Sequence, residues 1–165
     1  SLDEDNWLAA ARAIMTTDII AKGISRTLTI DGQEVQITGI AKGSGMIRPD
    51  MATMLAFIAT DASIESDLLN NLLGNAVENS FNRICVDGDT STNDACVLIA
   101  SGKSGVSISS DNNSSIEKMQ EGIESVCITL AQAIIRDGEG ATKFISVKVD
   151  GGVSQSKCLE IAYSF

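Results

Sequence analysis

No histidine occurs in the 165 residues. That excludes Ser-His-Asp and Cys-His sites built from this chain and removes the commonest metal ligand. No run of 18 apolar residues and no signal-peptide pattern is present, so neither a membrane span nor secretion is read. Basic residues are scarce: 12 Lys and Arg stand against 22 Asp and Glu, a net charge of −10. Phosphate recognition needs a basic footprint, so nucleic acid is excluded as a partner. The four cysteines, Cys85, Cys96, Cys127 and Cys158, form no CxxC pair, which removes zinc-ribbon and redox motifs. Each lies beside apolar residues and reads as a small buried hydrophobe of a reducing compartment. Proline occurs once, at Pro49.

The chain is otherwise rich in core-forming residues, 44% hydrophobic, and its length suits one compact domain. It begins Ser-Leu-Asp, which reads as a processed product or a piece of a longer chain. Asp3 to Met15 has helical spacing, with Asp3 or Asp5 to cap it and Trp7, Ala11 and Ile14 on one face. Thr16-Thr17-Asp18 then breaks the helix. Thr27–Ile30, Asp31-Gly32 and Gln33–Ile37 give a hairpin signal, because an Asp-Gly pair suits a turn that needs positive φ. Leu28, Ile30, Val35 and Ile37 share its buried face, and the second strand runs on into Lys42.

A continuous apolar strand ends at Thr60, as expected when both faces are covered. Ser63 then caps a helix from Ile64 to about Asn79. Ala95–Ala100 is a further buried strand. A long helix follows over Ile116–Arg136, with Ser114 and Glu117 in capping-box spacing and Gly138 suited to a left-handed end cap. Phe144–Val149 reads as the last clear strand, and Lys157–Ala162 opens another helix. The pattern is α/β, a layered sandwich with helices packed on a mixed β-sheet.

Three loops carry candidate chemistry. Asp87-Gly-Asp-Thr-Ser-Thr-Asn-Asp94 fails the EF-hand pattern, and stays open between a self-bonded turn and a site lining. Lys42-Gly-Ser-Gly45 has its lysine before both glycines, the reverse of the Walker order, so a nucleotide loop is rejected. Asp137-Gly-Glu-Gly140 can project Glu139 into a site or simply end a helix. Ala52-Thr53, between the Gly- and Pro-containing loop and a buried strand, fits a plain strand entry. It also fits a self-activated nucleophile. Without histidine, a hydroxyl nucleophile needs a lysine, a carboxylate or a free α-amino group of pKa ~7.7–8.0 as its base. If Thr53 cuts the chain in front of itself, by an N-to-O acyl shift, its own new amine can serve.

Gly43-Ser-Gly-Met-Ile-Arg-Pro-Asp-Met-Ala-Thr-Met-Leu55 resembles the self-cleavage signature of the ornithine acetyltransferase family (bifunctional glutamate N-acetyltransferases, the ArgJ family of arginine biosynthesis). Ala13–Asp18, Ser80–Ile84, Val86–Asp94 and Arg136–Lys143 resemble its other motifs, in order and across essentially the whole chain. The resemblance implies a DmpA/ArgJ-like fold and cleavage between Ala52 and Thr53. Residues 1–52 would be the end of an α subunit and 53–165 the start of a β subunit, together one partial domain of a longer precursor. It implies Thr53 as the catalytic nucleophile, carrying acetyl from N2-acetyl-L-ornithine to L-glutamate, with Thr16, Lys42, Thr53 and Glu139 contacting substrate. Lys42 suits a substrate carboxylate, and Glu139 suits the ornithine δ-ammonium group.

Further implications are paired α and β subunits in a heterotetramer, no cofactor or metal, acetyl-CoA as an alternative donor, and a cytoplasmic location (mitochondrial in a eukaryote). Three features depart from the family, one of them the run Ile161-Ala-Tyr-Ser-Phe165, which drifts from its Asn-Ser-Pro-Leu. Ile19-Ile20-Ala21-Lys22 differs from its usual continuation after Asp18. The Thr-Gly oxyanion element and Asn-containing tail of the family have no counterpart in these residues. An N-terminal-nucleophile aminopeptidase of related fold and a non-catalytic remnant are the rival readings.

Overall fold

The computed structural model describes residues 6–45, 54–86 and 94–164. A four-stranded mixed sheet has the order β1 (Lys22–Ile30), β2 (Gln33–Lys42), β3 (Leu55–Thr60), β5 (Ala95–Ala100). The first two pairings are antiparallel, and β3 runs parallel to β5. β4 (Ser63–Ile64) and β6 (Ser107–Ile108) make a small parallel pair. The helices are α1 (Trp7–Ala13), α2 (Ser66–Glu78), α3 (Asn113–Arg136) and α4 (Gln155–Ala162), with a 3₁₀ turn at Phe81–Arg83. This is the mixed α/β layering the sequence implies. No described helix is long and apolar enough to cross a membrane.

The β1–β2 hairpin turns at Asp31 and Gly32, whose φ values of 51° and 80° are the positive pair such a tight turn demands. Its register puts Leu28 opposite Val35, and Ile30, Val35 and Ile37 are fully buried. α3 crosses this face with Met119, Ile123, Val126, Leu130 and Ile134 at helical spacing, all buried. The approach is close enough to require glycine. A Cβ on Gly39 of β2 would stand 2.8 Å from Val126 and 3.0 Å from Leu130. α2 lies beside α3 and buries Leu72 and Ala76.

Several local expectations are corrected. The described part of the first helix ends at Ala13, and its cap position is Asn6, without a side-chain cap bond. Asp3 and Asp5 lie outside the described residues. Ser63 belongs to β4, its amide bonded to the Val106 carbonyl, so α2 starts later, at Ser66. The backbone ladder outcompetes a serine cap there. α3 is capped by Asn112, whose side chain accepts from the Ser115 amide at 3.2 Å, so Ser114 falls inside the first turn. Gly140, at φ 71°, is the left-handed residue after α3, and Gly138 is not among the positive-φ glycines. The turn closes through the Ala141 amide on the Gly138 carbonyl.

The segment 144–149 forms no strand. Phe144, Ile145 and Val147 are exposed, and the segment pairs with neither edge strand, β1 nor β5, of the four-stranded sheet. Phe144 instead lies against the Arg136 guanidinium, 4.6 Å from its ring centre. Cysteine burial is also uneven: Cys127 is buried, Cys96 and Cys158 are half-buried, and Cys85 is exposed. Burial pushes the Cys96 and Cys127 thiols up to about 12, so neither is a thiolate near neutrality.

Candidate functional site

One end of the sheet gathers the ends of four strands. Lys42 closes β2 opposite Leu55, which opens β3 opposite Ala95 of β5, while Lys22 opens β1 opposite Ala41. At this end three sequence segments meet: Thr16–Asp18, Lys42–Ser44 and Asp137–Glu139.

The junction is held by ionic and backbone bonds. Lys22, 4% exposed, donates its ammonium to Asp18 Oδ1 at 2.6 Å, to Asp137 Oδ2 at 2.5 Å and to the Ile20 carbonyl at 3.3 Å. Asp18 also accepts the Gly43 amide at 2.7 Å and the Thr16 amide at 3.2 Å. Asp137 accepts the amides of Ile19 at 3.0 Å and Ile20 at 3.4 Å. Burial pushes the Asp18 carboxyl up, but the Gly43 amide, the Lys22 ammonium and the Thr16 amide together outweigh it and hold the group below its ordinary value. Two direct ties complete the junction. The Glu139 amide donates to the Ser44 carbonyl at 2.6 Å, and the Thr17 and Ser44 hydroxyls lie 2.5 Å apart.

On the other side of Lys42 stands Asp94, immediately before β5. Its Oδ1 accepts the amide of Met54, the residue that precedes β3. The Met54 carbonyl in turn accepts the Ala95 amide at 3.1 Å. The other oxygen, Oδ2, is buried and has no hydrogen-bond partner among the described residues. Burial raises the Asp94 carboxyl, and the opposing Met54 amide and Lys42 charge do not bring it back to its ordinary value.

The expected site residues are thus partly united. Thr16 is exposed, Lys42 is 7% exposed and Glu139 is exposed, each on one of the converging segments. Ala52 and Thr53 lie outside the described residues. Met54, which follows Thr53 in the chain, is at this end of the sheet. Sequence reasoning left Asp18, Lys22, Asp94 and Asp137 without roles, although three of the four stand inside the quoted motifs. The available signal was a charged residue flanking each hydroxyl- or glycine-rich segment. In chemical terms the junction offers a buried cation at Lys42, an exposed carboxylate at Glu139 and exposed hydroxyls at Thr16 and Thr17, a set suited to an amphoteric small molecule.

The ArgJ family profile matches residues 2–165. The chain is 52% identical over 164 residues to the arginine biosynthesis bifunctional protein ArgJ of Pseudomonas fluorescens, and 53% identical over 165 residues to that of Psychrobacter arcticus. Each comparison covers 99% of this chain and 40% of the relative, so the chain spans about 40% of the length of the curated relatives it matches. Among solved structures, ArgJ from Bacillus halodurans is similar at 41% identity with a TM-score of 0.50, over 53% of this chain and 41% of that one. The PH0078 protein of Pyrococcus horikoshii, at 15% identity and a TM-score of 0.50 over 71% of this chain and 39% of that one, shares the fold. With its profile matched from residue 2 to the last residue and its motifs in order, the chain belongs to the ArgJ family.

Proposed function

We propose that this chain carries the acyl-transfer centre of an ornithine acetyltransferase, which moves acetyl from N2-acetyl-L-ornithine to L-glutamate. The observation that carries the reading is the convergence of Thr16–Asp18, Lys42–Ser44 and Asp137–Glu139 at the sheet end where Met54 continues from Thr53. Self-cleavage is assigned to the Ala52–Thr53 bond of a longer precursor, with 1–52 the end of its α subunit and 53–165 the start of its β subunit. The two parts share one core, since β2 and β3, on opposite sides of the cut, are hydrogen-bonded neighbours.

The transfer runs in two steps. The Thr53 hydroxyl attacks the acetyl carbonyl of acetylornithine while the Thr53 amine takes the hydroxyl proton. That proton passes to the departing amine of ornithine as the C–N bond breaks, leaving acetyl on Thr53. The glutamate amine then attacks the ester, its proton returns to the Thr53 oxygen, and N-acetylglutamate leaves. Lys42 pairs with the substrate carboxylate, Glu139 with the ornithine δ-ammonium, and Thr16 contacts substrate. N2-acetylornithine and glutamate both carry an amino-acid carboxylate, so one cation serves both half-reactions. Acetyl-CoA is a second candidate donor, no other cofactor is invoked, and the α and β parts pair in a heterotetramer in the cytoplasm.

Mass spectrometry of the full-length gene product tests this. Two polypeptides divided at Ala52/Thr53, with the Thr53-starting one gaining an acetyl group on exposure to N2-acetylornithine and losing it to glutamate, is the expected result. An uncut, unlabelled chain overturns it. Hydrolysis of peptide amides without transfer to glutamate would instead identify an aminopeptidase.

A further inference from the structure

We infer that Asp18, Lys22 and Asp137 form a buried positioning triad, in which a single ammonium group sets the spacing of the three segments that carry Thr16, Lys42 and Glu139. The inference rests on the function proposed above for what those segments bind. The triad itself is geometry.

Lys22 directs its ammonium to three acceptors, which matches the number of its donor hydrogens: Asp18 at 2.6 Å, Asp137 at 2.5 Å and the Ile20 carbonyl at 3.3 Å. It is fixed at its base by β1, where it faces Ala41. Each carboxylate then passes the constraint to backbone. Asp18 holds the Thr16 amide on one side and the Gly43 amide, next to Lys42, on the other. Asp137 holds the Ile19 and Ile20 amides, and Glu139, two residues on, bonds its amide to Ser44. Every substrate-contacting position assigned among the described residues is therefore within two residues of an atom tied to this network.

A buried ion pair is a poor route to stability, because desolvation offsets most of the attraction and an apolar replacement of the whole group is often as stable. What an apolar group cannot do is accept backbone amides. The two carboxylates accept four amides between them. Without Lys22 the two buried carboxylates would repel, and the segments they anchor would separate.

Two variants of the full-length gene product test the assignment. Lys22→Met alone strands two buried charges and is liable to unfold. The triple replacement Asp18→Asn, Lys22→Met, Asp137→Asn removes all three charges at near-constant volume. It is expected to fold, with β2–β3 amide exchange as in the wild type. Exchange at Gly43 and Glu139 should accelerate about tenfold or more, and KM for N2-acetylornithine should rise more than kcat falls. Lys22→Arg alone, which keeps a cation between the carboxylates, should retain most of the wild-type protection. A triple variant with wild-type exchange at Gly43 and Glu139 and wild-type KM overturns the triad. Should the wild type transfer no acetyl at all, the proposed function fails, and the exchange comparison still decides whether the triad positions these segments.

Discussion

Lys42 stands between two acidic environments, one buried at Asp18 and one half-buried at Asp94, that meet the same cost differently. On the Asp18 side the carboxylate meets an ammonium and two amides, and its affinity for a proton is lowered. On the Asp94 side the carboxylate meets one amide, its second oxygen has no partner among the described residues, and its affinity for a proton is raised. Both aspartates are penalised by burial. What separates them is the number of donors facing each one. The compensated side anchors the segments, and the uncompensated side is the more reactive toward protons.

The sharpest way to break the contrast is to remove compensation where it exists. Lys22→Met should destabilise by about 3–5 kcal/mol, the cost of breaking a buried pair, measured by urea unfolding. A purely steric change should be smaller and neutral in charge. Gly39→Ala drives a methyl against Val126 and Leu130, and should cost about 1–3 kcal/mol without altering the pH dependence of stability.

The pH series then separates the two aspartates by sign. Asp18 has a lowered folded-state value, so its contribution is fully present above its ordinary 3.8 and is lost as pH falls through that lower value. Asp18→Asn should flatten this acid limb. Asp94 has a raised value, so the folded state holds its proton longer, and its contribution declines as pH rises from 3.8 through the raised value. Asp94→Asn should therefore raise Tm at pH 7 relative to pH 3, opposite to Asp18→Asn. The smallest effect belongs to an ion pair in water. Lys157 and Glu160 meet at 2.7 Å but are 59% and 63% exposed, and Glu160→Gln should change stability by less than about 0.5 kcal/mol.

Much of the fold was legible because it is local. Asp31-Gly32 announces its turn, and the α3 stripe follows helical spacing through Ile134. Phe144–Val149 has the composition of a strand but pairs with neither edge of the sheet, and composition says nothing of pairing. Gly138 and Gly140 both follow α3, and only backbone angles show that Gly140 is the left-handed one. The site was legible as a set of motifs, and their relation was not. Lys22 stood in a stretch that departed from the family pattern, yet its ammonium joins Asp18 to Asp137, 115 residues away from Lys22 in sequence. No local periodicity carries such a contact. It depends on where α3 ends relative to the start of β1.

That placement makes α3 a gauge. At its beginning, Ser115 and Asn112 bond Asp31 at the hairpin tip, at 3.1 and 3.2 Å. At its end, Asp137 grips Lys22 at the base of the same strand. The helix and the strand are two members of one frame, pinned at both ends, and the count of residues between the pins is itself a functional quantity. One residue inserted into the exposed side of α3 would turn everything beyond it by about 100°. Asp137 would swing off Lys22 with no residue of the site altered, whereas an insertion at the α4 end, outside the frame, would leave the junction untouched.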